Sequence, residues 1–311
     1  MSLLRVEGMT HFFGGLRAVH DFNLAIEPGR LHGLIGPNGA GKTTIFNLIT
    51  GVHTPTGGRV LFAGEEITGL PPHRIAARGL GRTFQDLKLW RHMTVAEHVK
   101  MARYATIGYG LVGAFFSTPR RKSEEAEIEA HARRLLAMFG IEGMAEQVVT
   151  NLPYGVQRRL EMARALALEP RLLLLDEPTV GMTPEELNQM MELIRRINGE
   201  MGVAILLIEH RMRMVMELCR HISVLVFGEL IAEVEASPLS PVRLGELIRA
   251  QLGAEQAREH AQGLVLGVGR AVGRAAVVAD HPQHRLPVRP VTGEGPQLGG
   301  HPRGGEIGLT G

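Results

Sequence analysis

Hydrophobic positions along this chain change their spacing repeatedly, and each change predicts an element. Over residues 3–35 they fall in short runs, "LLRVEGMTHFF", "AVHDFNLAI" and "LHGLIG", which predict strands. "TTIFNLITGV" follows, with Ile45, Leu48, Ile49 and Val52 at helical spacing. "GGRVLFAGEEI" returns to strand with a turn near Ala63-Gly64. "PPHRIAARGLGRTF" predicts a short helix and a strand ending at Phe84. From about 91 to 168 the spacing is helical. "TVAEHVKMARYA" opens on Thr94 with Glu97 three residues on, the pattern of a capping box. "KSEEAEIEAHARRLLAMFGI" starts at Ser123 and puts Ile128, Leu135, Leu136 and Phe139 on one face. The intervening "YGLVGAFFSTPRRK" is apolar and Gly-rich, then basic; it suits an exposed partner patch and a packed loop equally.

Strands and helices then alternate. "RLLLLDEP" and "GVAILLIEH" are continuous apolar runs, as strands covered on both faces require. "PEELNQMMELIRRINGE" predicts a helix with Pro184 in its first turn, and "RMRMVMELC" another. "HISVLVFGELIAEVE" predicts a hairpin around Gly228, and "SPVRLGELIRAQLG" a last helix closing near Gly253. Residues 254–311 change character. "GEGPQLGGHPRGGEIG" has too few apolar residues to offset chain entropy, so a disordered tail is expected there.

Composition narrows the class. The chain has 311 residues, 44% hydrophobic and 21% charged, with a net charge of +2. It can build a core, and it lacks the strong basic excess of a nucleic-acid binder. The lone Cys219 excludes an internal disulfide framework and a multi-cysteine metal site. No run reaches the ~18 apolar residues of a membrane helix, and "MSLLRVEGM" has no signal-peptide pattern. A membrane role is therefore expected to be peripheral.

The chemistry concentrates in two stretches. "GPNGAGKT", with Gly36, Pro37, Asn38, Gly39, Ala40, Gly41, Lys42 and Thr43, fits the phosphate-loop pattern in full, and Thr44 follows it. Glycines let successive N–H groups turn inward as an anion nest, and the helix opening there adds its positive end. Lys42 reaches β- and γ-phosphates as a point charge, and the Thr43 hydroxyl suits Mg²⁺. The second stretch, "LLLLDEP", ends an apolar strand on Asp176, a partner for Mg²⁺. Glu177 follows, placed to act on an attacking water as general base.

With those residues the chain resembles the ATP-binding cassette (ABC) transporter ATPases over about residues 3–253. The resemblance implies an α/β phosphate-loop NTPase fold. Its core would be a mixed, largely parallel sheet, with N-terminal antiparallel strands and an inserted helical subdomain over about 91–168. It also implies ATP and Mg²⁺ as ligands. "GRTFQDLKLW" carries Gln85 like the family's glutamine loop, which contacts Mg²⁺ and the attacking water. "LLIEHRM" carries His210 like the histidine that hydrogen-bonds the γ-phosphate. Phe13 in "THFFGG" matches the aromatic that stacks on adenine, with Phe12 beside it. In "TVGMTPEE", Thr183 stands where many relatives have aspartate.

The family's signature, L-S-G-G-Q before a helix, reads "LPYGVQRRLEMARAL" here. Gly155 matches the second glycine, while Pro153, Tyr154 and Val156 depart from the pattern. Val156, Leu160, Ala163 and Ala167 share one face of that helix, with arginines opposite. By resemblance its N-terminus, Gly155 included, faces the γ-phosphate held by a second subunit. This variant, with "FGGLRAV", "GLPPHRIAARGLGRTFQ", "MTVAEHV", an insertion at 104–122 and "DEPTVGMTPEE", is similar to the ATPases of branched-chain amino-acid importers. Relatives moving urea or short amides share much of it, and a soluble ABC ATPase is a further alternative. The resemblance implies a homo- or heterodimer on the cytoplasmic face of the inner membrane. Two permeases would be its partners, with Trp90 in the docking segment, and a periplasmic binding protein would act indirectly.

Overall fold

The computed structural model describes residues 2–104 and 119–235. The expected last helix, the tail from 254 and most of the 104–122 insertion lie outside them. In chain order the first strands are β1 (Leu4–Phe13), β2 (Leu16–Ile26), β3 (Leu31–Ile35), β4 (Gly57–Phe62) and β5 (Glu65–Glu66). β6 (Leu80–Arg82), β7 (Leu172–Asp176), β8 (Ala204–Ile208), β9 (His221–Val226) and β10 (Glu229–Glu235) complete them. The helices are α1 (Lys42–Ile49), α2 (Pro72–Ala77), α3 (Val95–Tyr104) and α4 (Pro119–Met138). α5 (Tyr154–Leu166), α6 (Pro184–Glu200) and α7 (Met212–Leu218) follow.

Two sheets result. One is antiparallel, in the order β2-β1-β4-β5. The other runs β10-β9-β3-β8-β7-β6 and is parallel except for β10, which folds back on β9. Side chains of β7 alternate between two cores. Leu172 and Leu174 pack with Leu34, Leu206, α1 and the antiparallel sheet. Leu173 and Leu175 pack with Leu207 and the helices of the opposite layer. A strand buried on both faces must be apolar at every position, which is why "LLLL" carries no period of two.

Local signals hold where they are purely local. Thr94 and Glu97 exchange both capping-box hydrogen bonds ahead of α3. Thr183 does the same with Glu186 at α6, where Pro184 occupies the first turn. Three boundaries differ from the sequence reading. α1 stops at Ile49, because Gly51 takes φ +72° and a Cβ there would meet Leu70 O at 2.1 Å. Val52 is therefore exposed rather than on the helix's apolar face. β6 ends at Arg82, before Phe84, and α4 begins at Pro119, before Ser123. A proline is tolerated in a first turn because its missing N–H has no helical acceptor there.

Candidate functional site

β3, β7 and β8 all point their C-terminal ends at one cleft of about 950 Å³, the edge where parallel α/β sheets place ligands. Beyond β3 the chain curls from Gly36 to Gly41 and enters α1 at Lys42. Gly39 and Gly41 adopt φ of +78° and +102°, which disfavour any side chain. Space demands glycine as well. A Cβ on Gly36 would lie 2.1 Å from Leu225 O, and one on Gly41 2.7 Å from Ala18 O. The turn between β9 and β10 braces the loop from behind, with Gly228 N–H donating to Ala40 O at 2.8 Å. Ala40 is buried, while Gly36, Pro37, Asn38, Gly39, Gly41, Lys42, Thr43 and Thr44 line the cleft.

Lys42 is 6% exposed. Its Nζ donates to Gly36 O at 2.9 Å and Pro37 O at 2.8 Å, so the ammonium sits over its own loop. Burial pushes it below the ordinary lysine range, against the pull of Glu177 and Asp176. Glu177 follows β7 with φ +48°, a conformation uncommon for a long side chain. That turn brings its carboxylate onto the cleft rim. Oε1 meets His210 Nε2 at 2.7 Å, and Oε2 accepts from Gln85 Nε2 at 3.2 Å. Residues following β6, β7 and β8 thus converge on one carboxylate.

Asp176 lies beneath, 1% exposed. Arg82 Nη2 donates to its Oδ2 at 3.3 Å, while Oδ1 is buried without a hydrogen-bond partner. Burial holds this carboxyl above its ordinary value, and Arg82 works against that. Asp176 does not line the cleft wall, but its spare buried oxygen next to Glu177, and the oxygens of Thr43 and Gln85 on the cleft, are hard donors of the kind Mg²⁺ takes.

Phe13 lines the cleft and is 44% exposed. The rings of His11 and His53 meet it edge-on at 4.6 and 5.4 Å. Phe12 is equally exposed and does not line the cleft. Gly155 stands apart, in the first turn of α5, where a Cβ would lie 2.5 Å from Glu186 Oε1.

Three charged residues of the site environment escaped the sequence reading. Arg82 is one. Glu209 is another, 3% exposed, with Oε1 accepting from Thr179 N–H at 3.2 Å. Its Oε2 accepts from the His210 N–H at 3.0 Å and so fixes the backbone that carries the imidazole. A carboxylate between "AILLI" and histidine was its only sequence signal. The third is Arg158, expected among the arginines opposite the apolar face of α5. It is 3% exposed, because it turns into the fold and pairs with Glu161.

Comparison with known proteins shows the family and the fold. Residues 19–180 match the ABC transporter family. The high-affinity branched-chain amino acid transport ATP-binding protein BraF of Pseudomonas aeruginosa is 40% identical over 251 residues, 81% of this chain and 98% of that protein. The probable branched-chain amino acid transport ATP-binding protein LivG of Archaeoglobus fulgidus is 34% identical over 82% of this chain and 97% of its own. A nucleotide-free ATP-binding cassette from an ABC transporter superposes with a TM-score of 0.65 at 28% identity, covering 76% of this chain and 92% of that one. The cassette MJ0796, solved as a post-hydrolysis dimer with ADP and Pi, shares the fold at 24% identity, with a TM-score of 0.65 over 75% of this chain and 98% of its own. Likeness over four fifths of the sequence is more than a shared phosphate loop accounts for: the chain belongs to the ABC transporter family, among its ATP-binding, ATP-hydrolysing subunits.

Proposed function

We propose that the chain is the motor subunit of an importer for branched-chain amino acids, working as a dimer on two membrane permeases. The observation that carries the catalytic part is Glu177, held between His210 and Gln85 on the rim of the phosphate-loop cleft. The cargo part rests on the relatives, which are named for branched-chain amino acid transport, and on the resemblance of the signature stretch to that subfamily. In this reading residues 1–253 are the cassette, about 91–168 its helical subdomain, and 254–311 a separate tail. The subunit sits peripherally on the cytoplasmic face of the membrane, and a periplasmic binding protein delivers the cargo.

Each residue then has a role. Adenine stacks on Phe13. Backbone N–H groups of the 36–43 loop hold the phosphates. Phosphate oxygens take over the donors that Lys42 gives to Gly36 and Pro37 carbonyls. Bound Mg²⁺, held by Thr43, Asp176 and Gln85, would neutralise phosphate charge. Glu177 takes the proton of the attacking water, Gln85 orients that water, and His210 hydrogen-bonds the γ-phosphate. Gly155 of a second subunit closes the site in trans. Most of the rate comes from positioning and charge, since phosphoryl transfer needs little covalent help.

Lys42→Ala should keep the fold and lower ATP turnover by about a hundredfold or more. Phosphate release at the wild-type rate would refute the site. Glu177→Gln should retain ATP and elute as a dimer with it; a monomer under those conditions would refute the shared site. Reconstituted with its permeases and binding protein, the complex should take up leucine, and uptake of urea or amides alone would refute the cargo.

A further inference from the structure

The loop from Phe84 to Trp90 leaves β6 and is held at its start by side chains of α5, while at its end Trp90 N–H donates to His98 Nε2 of α3 at 2.9 Å. α5 presents Arg158, Glu161 and Arg164 to it, at helical spacing of three. Both sides of the Phe84 residue are taken: Glu161 Oε1 accepts from its N–H at 3.1 Å, and Arg158 Nη1 donates to its carbonyl at 2.9 Å. Arg158 Nη2 donates to the carbonyl of Gln85. Farther along, Arg164 donates to Lys88 O and sits 5.5 Å from the Trp90 ring. Arg158 and Glu161 are 3% and 1% exposed and bond each other at 3.1 Å.

Burying such a pair is costly, and an apolar contact would hold a loop more cheaply. What the pair adds is direction, because a planar guanidinium donates along fixed lines to two successive carbonyls. The same guanidinium reaches a third place. Its Nε donates to Tyr154 Oη at 2.8 Å. The Tyr154 ring in turn covers Gly181, where a Cβ would lie 3.2 Å from Cε1. Tyr154 is one of the residues that depart from the family's signature, and this contact gives it a use.

We infer that Arg158 and Glu161 are positioning residues, fixing the backbone of Phe84 and Gln85 to α5 so that the Gln85 carboxamide reaches Glu177. The inference rests on the proposed role of Gln85, and the experiment separates the two. Hydrogen exchange of peptides covering 84–90, read by mass spectrometry, reports the loop directly in the full chain. In Arg158→Met these amides should exchange about tenfold faster or more, while β7 and β8 exchange as in the wild type. The kcat for ATP should fall about tenfold or more with KM within about twofold, the signature of a misplaced group rather than of lost binding. Arg158→Lys should not rescue either readout, because an ammonium lacks the fork. Unchanged exchange in the loop overturns the inference, as does equal acceleration in β7 and β8. Should Arg158→Met fail to fold, Glu161→Gln removes one acceptor's charge and carries the same two readouts. If Gln85→Ala keeps the wild-type kcat, the role of Gln85 fails, and the exchange data still decide whether α5 holds the loop.

Discussion

Arg82→Met isolates what a buried guanidinium contributes beside Asp176. The arginine side chain is 6% exposed and the aspartate 1%. Nη2 donates to Asp176 Oδ2 at 3.3 Å, and Nη1 to Asn47 Oδ1 at 2.8 Å and Thr50 Oγ1 at 3.0 Å. The guanidinium also lies 5.5 Å from the Phe46 ring and 4.8 Å from Phe84. Methionine keeps the aliphatic stem against those rings, so dispersion changes little. Two lost hydrogen bonds to neutral partners cost about 1 kcal/mol each. The larger effect is a carboxylate left buried without its counter-charge, and breaking one side of such a pair costs about 3–5 kcal/mol. Arg82→Met should therefore destabilise the fold by about 5–7 kcal/mol, read from urea unfolding by far-UV circular dichroism at neutral pH without nucleotide. Combining it with Asp176→Leu removes both charges and should recover much of the loss, with a coupling energy of about 2 kcal/mol or more. A single-variant cost below about 1 kcal/mol, or a double variant equal to the sum of the singles, would show that the pair does not act as argued.

Other consequences can be checked as directly. Gly36→Ala pushes a methyl group to 2.1 Å from the backbone oxygen of Leu225, which cannot rotate away. Nucleotide affinity should drop about tenfold or more in a folded protein, and wild-type affinity would contradict the fit. Burial, with His221 beside it as a lesser cause, holds the His32 pKa at about 4 against 6.5. The unfolded chain takes the proton first, so stability is unaffected by this group above about pH 7 and is lost as pH falls from 6.5 towards 4, about 3 kcal/mol in all. His32→Gln should remove that pH-dependent part, and parallel stability curves for both proteins would sink the assignment. Burial pushes the Cys219 thiol well above its ordinary value. Ellman's reagent should react about a hundredfold more slowly with folded than with urea-unfolded protein; equal rates would contradict its burial.

Sequence legibility follows the range of the interactions. The phosphate loop was readable because its physics is contained in eight adjacent residues: glycines for curvature, a lysine, a hydroxyl and a helix start. Capping at Thr94 and the proline in the first turn of α6 were readable for the same reason. Arg82 and Asp176 are 94 positions apart, and Arg158 and Phe84 are 74 apart. Nothing local distinguishes such arginines from solvated ones, so Arg158 was expected outside and lies within.

By itself, then, the sequence determined most elements among the described residues, the doubly covered strands and the phosphate-loop motif, since period and local motif are properties of neighbouring residues. Which groups meet was decided only in the tertiary structure. The parallel register of β6, β7 and β8 sets the residues that follow them side by side, so Gln85, Glu177 and His210 share one rim. Packing of α5 against the Phe84–Trp90 loop turned two charged side chains inward. Burial left one oxygen of Asp176 without a partner. Those outcomes depend on distances between segments far apart in the chain, and residue order alone does not contain them.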